Sequence, residues 1–165
     1  MSNLCIMENM QITLLTVGKL KEAYYRDAAQ NYIKRLRHYA TFDEIEVREE
    51  RGSKNTQITD IVQKEGQRLL QALPPNALII ALDPIGKSCT SEALANQLTD
   101  LGIQRQSRLV CLIGGPFGLA PQILSRANWC LSLSPMTFPH ELARVILLEQ
   151  LYRAFTIIRG ENYHK

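Results

Sequence analysis

Two short, uninterrupted apolar segments in the middle of the chain constrain its fold more than any other feature. Residues 77–82 and 109–113 are each of strand length and contain no charged or strongly polar side chain. Such runs are typical of strands inside a parallel sheet, because helices cover both faces of these strands. A strand with one face in water instead alternates apolar and polar residues. We therefore expect an α/β fold.

Strand and helix patterns alternate along the rest of the chain. Apolar residues recur at helical spacing in the longer segments between the strands. The order β-α-β-α-β-α-β-α-β-α predicts one open, mostly parallel sheet flanked by helices. The further strands are predicted at residues 11–17, 42–47 and 129–133. The helices are predicted at residues 22–39, 56–73, 90–101 and 139–158, with a short one beginning near Pro121.

The length of the chain sets the expected number of domains. Its 165 residues are enough for one domain with a hydrophobic core and few for two. No linker and no internal repeat interrupts residues 10–165, so we expect a single domain there. Residues 1–9 lack periodicity. We interpret them either as a disordered N-terminal extension or as residues upstream of a true start at Met7 or Met10.

Charge and cysteine content narrow the class of protein. The net charge of +3 permits a nucleic-acid partner and equally fits an ordinary enzyme. The longest apolar runs have about six residues, against roughly 20 in a membrane-spanning helix, and the N-terminus does not resemble a signal peptide. We therefore expect a cytoplasmic protein with no membrane partner. Because Cys5, Cys89, Cys111 and Cys130 are scattered, we expect reduced thiols and no bound metal.

Three loops at the predicted carboxyl edge of the sheet form the candidate ligand site, since open α/β sheets bind ligands at this edge. They span residues 82–87, 113–118 and 133–140. The second loop, Ile-Gly-Gly-Pro-Phe-Gly, matches neither the dinucleotide fingerprint nor the P-loop. Pro116 also removes a backbone donor, which favours a neutral or cationic ligand over a phosphate. A purely structural turn fits this loop equally well.

The third loop is apolar and is broken by Pro135 and Pro139. Its backbone therefore cannot pair fully within a sheet. The unpaired N–H and carbonyl groups could bind the edge of an adenine. A plain surface connection is the alternative interpretation.

The last predicted helix is apolar on more than one face, so it is expected to be covered on two sides. In so small a domain a second copy of the chain is one candidate for this cover, which predicts a homodimer. The alternative is that the sheet and a neighbouring helix cover both stripes. The first stripe consists of Leu142, Val145 and Ile146, and the second of Leu147, Leu148, Leu151 and Phe155.

Four motifs, in their order and spacing, resemble one known family. They are Leu-Ile-Gly-Gly-Pro-x-Gly at residues 112–118, Thr-x-Pro-His at 137–140, Leu-Leu-Glu-Gln-Leu-Tyr-Arg-Ala at 147–154 and Tyr-His-Lys at 163–165. Together they resemble the ribosomal large-subunit methyltransferase H (RlmH) family of the SPOUT superfamily, from Met10 to the C-terminus. The chain departs from the family pattern at Phe117, where the family often has an acidic or polar residue.

The resemblance implies a C-terminal trefoil knot of the SPOUT type, which is an exception to ordinary chain connectivity. It implies S-adenosyl-L-methionine as the cofactor, bound in the knot. The family reaction is methylation of N3 of a pseudouridine in 23S rRNA, in the stem-loop that faces the decoding centre of the assembled ribosome. By position, the cofactor contacts fall on Leu82, Gly114, Gly115, Gly118, Leu133, Ser134, Pro135, Met136, Thr137 and Phe138.

Methylation at N3 requires removal of a proton, which a general base would assist. His140 and His164 are the histidines near the implied site, and Arg153 completes the candidate catalytic set. Each has a structural alternative: His140 as a support of the last helix, His164 as part of a frayed terminus, and Arg153 as the partner of a glutamate. The candidates for substrate binding are Tyr152, Tyr163 and Lys165, although Tyr152 fits packing in a dimer as well.

Basic residues are concentrated in the N-terminal third, where they either extend an RNA-binding surface or form a solvated helix face. Two rival classes remain. A nucleotide-binding enzyme such as a dehydrogenase would need a phosphate fingerprint that the sequence lacks. The other class is a ribosome-associated protein that binds S-adenosylmethionine or a nucleotide but has no methyltransferase activity. The basic residues are Lys19, Lys21, Arg26, Lys34, Arg35 and Arg37.

Overall fold

The structure is a computed structural model that describes residues 10–53, 55–104 and 106–164. The predicted extension at residues 1–9 and the candidate substrate residue Lys165 lie outside the described residues. The strands are β1 Gln11–Val17, β2 Thr41–Val47, β3 Leu78–Ser88, β4 Arg108–Ile113 and β5 Trp129–Ser132. The helices are α1 Ala23–Leu36, α2 Ile58–Ala72, α3 Ser91–Ile103, α4 Pro121–Arg126 and α5 His140–Arg159.

The five strands form one sheet in the order β2-β1-β4-β3-β5, and every neighbouring pair is parallel. This confirms the predicted α/β class, and the sheet is wholly rather than mostly parallel. The two apolar runs that suggested the fold lie in β3 and β4, inside the sheet. The trefoil knot implied by the resemblance stays a prediction, since strand order does not fix how the loops thread.

Two apolar layers cover the two faces of the sheet. Leu14 and Leu15 are neighbours on β1 and belong to different layers, as the alternation of side chains along a strand requires. Buried residues of α1, α3 and α5 make up one layer, and those of α2 and α4 belong to the other. Within the described ranges, no helix is long and apolar enough to cross a bilayer.

The end of β3 differs from the sequence prediction. The apolar run predicted a strand over residues 77–82, but β3 continues to Ser88. It pairs with β5 through Leu82 and again through Lys87, with a shift of register between these two residues. The irregularity leaves Pro84 outside the regular ladder, where its missing N–H is tolerated.

The helix ends follow local chemistry. α1 ends at Leu36 rather than at the expected Tyr39, because residues 37–40 form turn hydrogen bonds back to the last turn of the helix. α3 is capped by Thr90, whose hydroxyl oxygen accepts the N–H of Ala93 at 3.1 Å. α5 ends at Gly160, whose φ of 67° suits glycine.

The apolar faces of α5 are covered to different degrees. The stripe Leu147, Leu148, Leu151 and Phe155 is at most 1% exposed and belongs to the core. The stripe Leu142, Val145 and Ile146 is only half-buried. The sheet and the neighbouring helices of one chain therefore cover one stripe completely and leave the other partly exposed.

Candidate active site

The three segments singled out in the sequence meet at the carboxyl edge of the sheet around a cavity of about 650 Å³, here called the edge cavity. The first of them, residues 82–87, lies in the irregular part of β3 rather than in a loop. The three segments bring nine of the ten predicted cofactor residues to the wall of the cavity, and the tenth, Pro135, does not line it. His140, a predicted catalytic residue, also lines the cavity. The predicted cofactor residues at the wall are Leu82, Gly114, Gly115, Gly118, Leu133, Ser134, Met136, Thr137 and Phe138.

Several lining residues were not predicted. Most flank predicted ones along the chain, and Ala143 lies one helical turn after His140, so helical spacing could have indicated it. The unpredicted residues are Asp83, Pro84, Ile113, Pro116, Leu131, Pro139 and Ala143.

The glycine turn, Gly114 to Gly118, forms one wall of the cavity. The N–H of Gly118 donates to the carbonyl oxygen of Gly115 at 3.0 Å, and Gly118 has a φ of +83°. A Cβ atom on Gly114 would lie 2.5 Å from the carbonyl oxygen of Gly118. A side chain at Gly114 would therefore force the turn open, so the sequence requires glycine there for the shape of the wall.

The loop before α5 forms another wall of the edge cavity. Hydrogen bonds of the Ser132 and Ser134 hydroxyl groups hold this loop in place. The Ser132 hydroxyl lies 3.1 Å from the carbonyl oxygen of Pro84 and 3.0 Å from that of Ser134, and so ties β5 to β3. The N–H of Met136 donates to Ser134 Oγ at 3.0 Å. These contacts shape a segment that cannot join the sheet because of its two prolines.

The lining of the edge cavity is mostly apolar and carries little charge. Among the described residues that line it, Asp83 is the one acid, and no lysine or arginine is present. Asp83 Oδ1 accepts the N–H of Ile85 at 2.8 Å. A cavity without cations is poorly suited to a polyphosphate and well suited to a flat, neutral ring next to a positive charge.

A second group of predicted residues lies at the other end of α5. Arg153 is 13 residues beyond His140, which is about 20 Å along a helix that rises 1.5 Å per residue. Neither Arg153 nor His164 lines the edge cavity of its own chain. A single chain therefore does not bring the three predicted catalytic residues together.

The C-terminal residues fold back onto α5 in this second group. Arg153 donates from Nε to Glu149 Oε1 at 3.0 Å, and its guanidinium lies 4.7 Å from the ring centre of Tyr163. The Tyr163 hydroxyl donates to the same Glu149 oxygen at 3.1 Å. Tyr152 packs edge-on against Tyr163, with 4.7 Å between ring centres. The structural alternative for Arg153, pairing with a glutamate, thus describes its contacts within one chain. Tyr152 packs against a ring of its own chain, and its packing in a dimer stays a prediction.

The His164 ring is held by hydrogen-bond contacts within the chain. Its Nε2 lies 2.8 Å from Glu92 Oε1 at the start of α3, and its Nδ1 lies 3.5 Å from an Arg153 nitrogen. The backbone N–H of Glu92 and the His164 ring together lower the pKa of the Glu92 carboxyl to about 2. Sequence reasoning missed Glu92, because its contact with His164 spans 72 positions.

A buried arginine fixes the start of α5 next to the edge cavity. Arg144 lies one turn after His140 and has a side chain only 6% exposed. It contacts Glu44 at 2.7 Å and Glu46 at 2.8 Å on β2, and Thr16 at 3.3 Å on β1. Sequence reasoning did not single out this residue, because its partners lie about 100 positions away along the chain.

Comparison with known families agrees with this geometry. A family model described as "Predicted SPOUT methyltransferase" matches residues 10–164, nearly the whole chain. The chain belongs to the SPOUT methyltransferase family. Among the described residues of this SPOUT methyltransferase, no group of three or more His, Cys, Asp or Glu side chains is placed to hold a metal ion.

Solved structures share the fold of this SPOUT methyltransferase at low sequence identity. A probable methyltransferase from Bordetella pertussis Tohama I is 13% identical with a TM-score of 0.55, and the match covers 92% of this chain and 98% of that one. A methylase family protein from Neisseria gonorrhoeae is 14% identical with a TM-score of 0.50, covering 89% of this chain and 83% of that one.

A third similar structure is the SpoU methyltransferase AviRb from Streptomyces viridochromogenes, in complex with the cofactor AdoMet. It is 10% identical with a TM-score of 0.45, and the match covers 88% of this chain. The present chain spans only 58% of the length of that protein.

Proposed function

We propose that this SPOUT methyltransferase transfers the methyl group of S-adenosyl-L-methionine to N3 of a pseudouridine in 23S rRNA, on the assembled ribosome in the cytoplasm. The observation that carries the choice of methyl donor is the edge cavity, whose three walls are the three segments that the RlmH resemblance implies. The choice of RNA target rests on the RlmH motifs, among them the Thr-x-Pro-His segment at the cavity and the Tyr-His-Lys tail.

The residues of the edge cavity fit this cofactor. A volume of about 650 Å³ lies within the roughly 300–1,000 Å³ typical of small-molecule sites. The backbone of the glycine turn and of residues 133–138 would hold the adenosine, and Asp83 would face the positive charge. When bound, the cofactor supplies a methyl group activated by a sulfonium, a chemistry that needs no metal ion.

The protein's own task is to position the base and to remove its N3 proton. Positioning supplies much of the rate of such a transfer, because the nucleophilic nitrogen must lie in line with the methyl group. His140 lies at the cavity wall, within reach of a base that enters there. His164 is the second candidate for the proton acceptor, and Arg153 would hold a phosphate beside the target nucleotide.

These roles require a homodimer. The half-buried stripe Leu142, Val145 and Ile146 continues along the same face of α5 to Glu149 and Arg153, since these positions are three or four residues apart. Two copies of α5 packed antiparallel on this face would cover the stripe. A two-fold axis near Ile146 would then place Arg153 of one chain beside His140 of the other.

Two measurements test the proposed reaction. Calorimetry should detect binding of S-adenosyl-L-methionine, and mass spectrometry of rRNA from a deletion strain should detect loss of an N3-methyl mark on a pseudouridine. Cofactor binding with an unchanged mark would contradict the RNA target and support the alternative, a ribosome-associated binding protein without this activity. No cofactor binding at all would overturn the enzyme assignment.

A mixing experiment tests the shared site. Gly114→Ala inactivates the cavity of a chain, and Arg153→Ala inactivates its C-terminal group, so each pure variant should lose activity. In an equal mixture, half of the dimers would contain one site with both parts intact, which restores about a quarter of wild-type activity. No recovery, with subunit exchange verified by mass spectrometry, would show that each chain completes its own site.

A further inference from the structure

A second cavity opens on the same edge of the sheet as the edge cavity. It has a volume of about 590 Å³ and lies where β1 and β2 end, and it is here called the basic cleft. Its lining contains four basic and two acidic side chains. The lining residues are Gly18, Lys19, Lys21, Glu46, Val47, Arg48, Glu49 and Arg51.

The two acids of the basic cleft are already engaged in ion pairs. Glu46 Oε1 lies 2.8 Å from a nitrogen of the buried Arg144, and Glu49 Oε2 lies 3.2 Å from Lys21 Nζ. The remaining cations, Lys19, Arg48 and Arg51, are exposed, and none forms an ion pair with an acid in the described ranges. The cleft therefore has three positive charges available to an external anion.

Strand pairing sets the distance from the basic cleft to the edge cavity. β1 lies between β2 and β4, and Thr16 pairs with Glu46 on one side and with Ile113 on the other. Neighbouring strands are about 4.8 Å apart, so the end of β2 lies about 10 Å from the start of the glycine turn. The end of β2, after which Arg48 and Arg51 follow in the chain, thus lies close to the edge cavity.

We propose that the basic cleft binds the phosphate backbone of the RNA strand next to the nucleotide that enters the edge cavity. The proposal rests on the proposed function and adds to it the surface that holds the substrate strand. Two arginines and a lysine without acidic partners match the charge of successive phosphates, and arginine can bind a phosphate through two parallel hydrogen bonds. Part of the basic cluster recognised in the sequence belongs to this surface, while the Arg26 guanidinium donates to the carbonyl oxygens of Leu20 and Lys21.

The test compares two triple variants with the same change of charge. The cleft variant carries Lys19→Gln, Arg48→Gln and Arg51→Gln. The control variant carries Lys34→Gln, Arg37→Gln and Arg126→Gln, three exposed cations outside both cavities. Methylation of 70S ribosomes is measured at several salt concentrations, and calorimetry with S-adenosyl-L-methionine verifies that each edge cavity is intact.

For the cleft variant we expect a KM for ribosomes raised at least tenfold, with kcat within about twofold of wild type. The slope of log KM against log salt should fall by about 2, since each phosphate contact with a single strand contributes roughly 0.7. The control variant should keep the wild-type slope. An unchanged KM and slope in the cleft variant would overturn the proposal. An equal rise in KM and an equal fall in slope in the control variant would overturn it as well.

Inhibition of methylation by added polyanions identifies the chemistry of the partner that binds the basic cleft. Polyuridylate should inhibit the wild type and inhibit the cleft variant far less, whereas polyglutamate should inhibit neither. Equal inhibition by polyglutamate would point to an acidic protein surface and against RNA. If the wild type methylates no RNA, the proposed function fails, and the salt dependence of ribosome co-sedimentation then decides on the cleft alone.

Discussion

Glu65 lies directly beneath Gly115: a Cβ atom on Gly115 would lie 2.9 Å from Glu65 Oε2. The Glu65 residue is 2% exposed, its Oε1 accepts the N–H of Glu50 at 2.9 Å, and its Oε2 has no hydrogen-bond partner among the described residues. α2 thus presses a buried carboxyl group against the turn that forms one wall of the edge cavity. Gly115 therefore has no room for a side chain.

Gly115→Ala should therefore impair cofactor binding more than it impairs folding. The new methyl group would push on Glu65 and on Val17, whose Cγ1 would be only 3.2 Å away, and so displace the glycine turn. We expect the affinity for S-adenosyl-L-methionine to fall at least tenfold, which is about 1.4 kcal/mol, by calorimetry.

Gly160→Ala is the matched control for this substitution. Gly160 has a φ of +67° and nothing within 4 Å of an added Cβ, so alanine there costs about 1–2 kcal/mol of stability without touching the cavity. Gly160→Ala should lower the Tm and leave the affinity for S-adenosyl-L-methionine unchanged. Equal affinities in all three proteins would contradict the proposed role of the glycine turn.

Glu65→Gln should change how stability depends on pH. Burial raises the pKa of the Glu65 carboxyl above its usual value of 4.5. The neutral acid therefore contributes its full stability below about pH 4.5, and this contribution is lost as the pH rises through the higher pKa of the folded state. A glutamine stays neutral throughout, so the Tm of the variant relative to wild type should rise as the pH increases above about 4.5.

An exposed residue without a titratable group provides the comparison for Glu65. Gln97→Ala, at an exposed position of α3, should leave the Tm difference from wild type constant over the same range. A constant difference for Glu65→Gln as well would show that its buried carboxyl is not the titrating group.

Arg144→Met should destabilise the fold by about 3 kcal/mol, because it leaves Glu44 and Glu46 next to each other without their cation. Urea unfolding measures this loss. Arg126→Met, at the exposed end of α4, should stay within about 0.5 kcal/mol of wild type. A loss below about 1 kcal/mol for Arg144→Met would mean that the ion pairs do not hold the start of α5.

Glu149→Gln should slow methylation without weakening cofactor binding. The Glu149 carboxylate holds Arg153 and Tyr163 together, and its hydrogen bond with Arg153 raises the pKa of the arginine. A neutral amide weakens this charge-assisted contact, so we expect at least a tenfold lower rate at saturating cofactor. Asp100→Asn on the exposed side of α3 should retain the wild-type rate. Retention of the rate in Glu149→Gln would argue against a role for Arg153 in the reaction.

Local sequence signals predicted the order of the elements and the three segments around the edge cavity, whereas the individual cofactor residues were implied by the resemblance to the RlmH family. Glycine and proline at residues 114–118 and 135–139 mark loops through their own backbone preferences, and these preferences do not depend on the rest of the chain. The extension of β3 beyond Pro84 could not be predicted in this way, because it depends on pairing with β5 almost fifty positions later.

Contacts between residues far apart along the chain could not be predicted from the sequence. Arg144 with Glu44, and His164 with Glu92, form only once the sheet has set the positions of α3 and α5. No spacing rule connects such residues in a single sequence. The basic cleft was likewise hidden, because Arg48 and Arg51 join Lys19 only after β1 and β2 pair.

The position of β4 between β1 and β3 also determines when the protein can fold during its own synthesis. Both neighbours of β3 follow it in the chain, so β3 has no strand to pair with until residues Arg108–Ile113 have emerged. Until then β1 can pair on one side only, with β2. Unpaired edges of apolar strands are where growing chains aggregate. A translation product that stops before Arg108 would therefore be a target for chaperones and proteases rather than a smaller working domain.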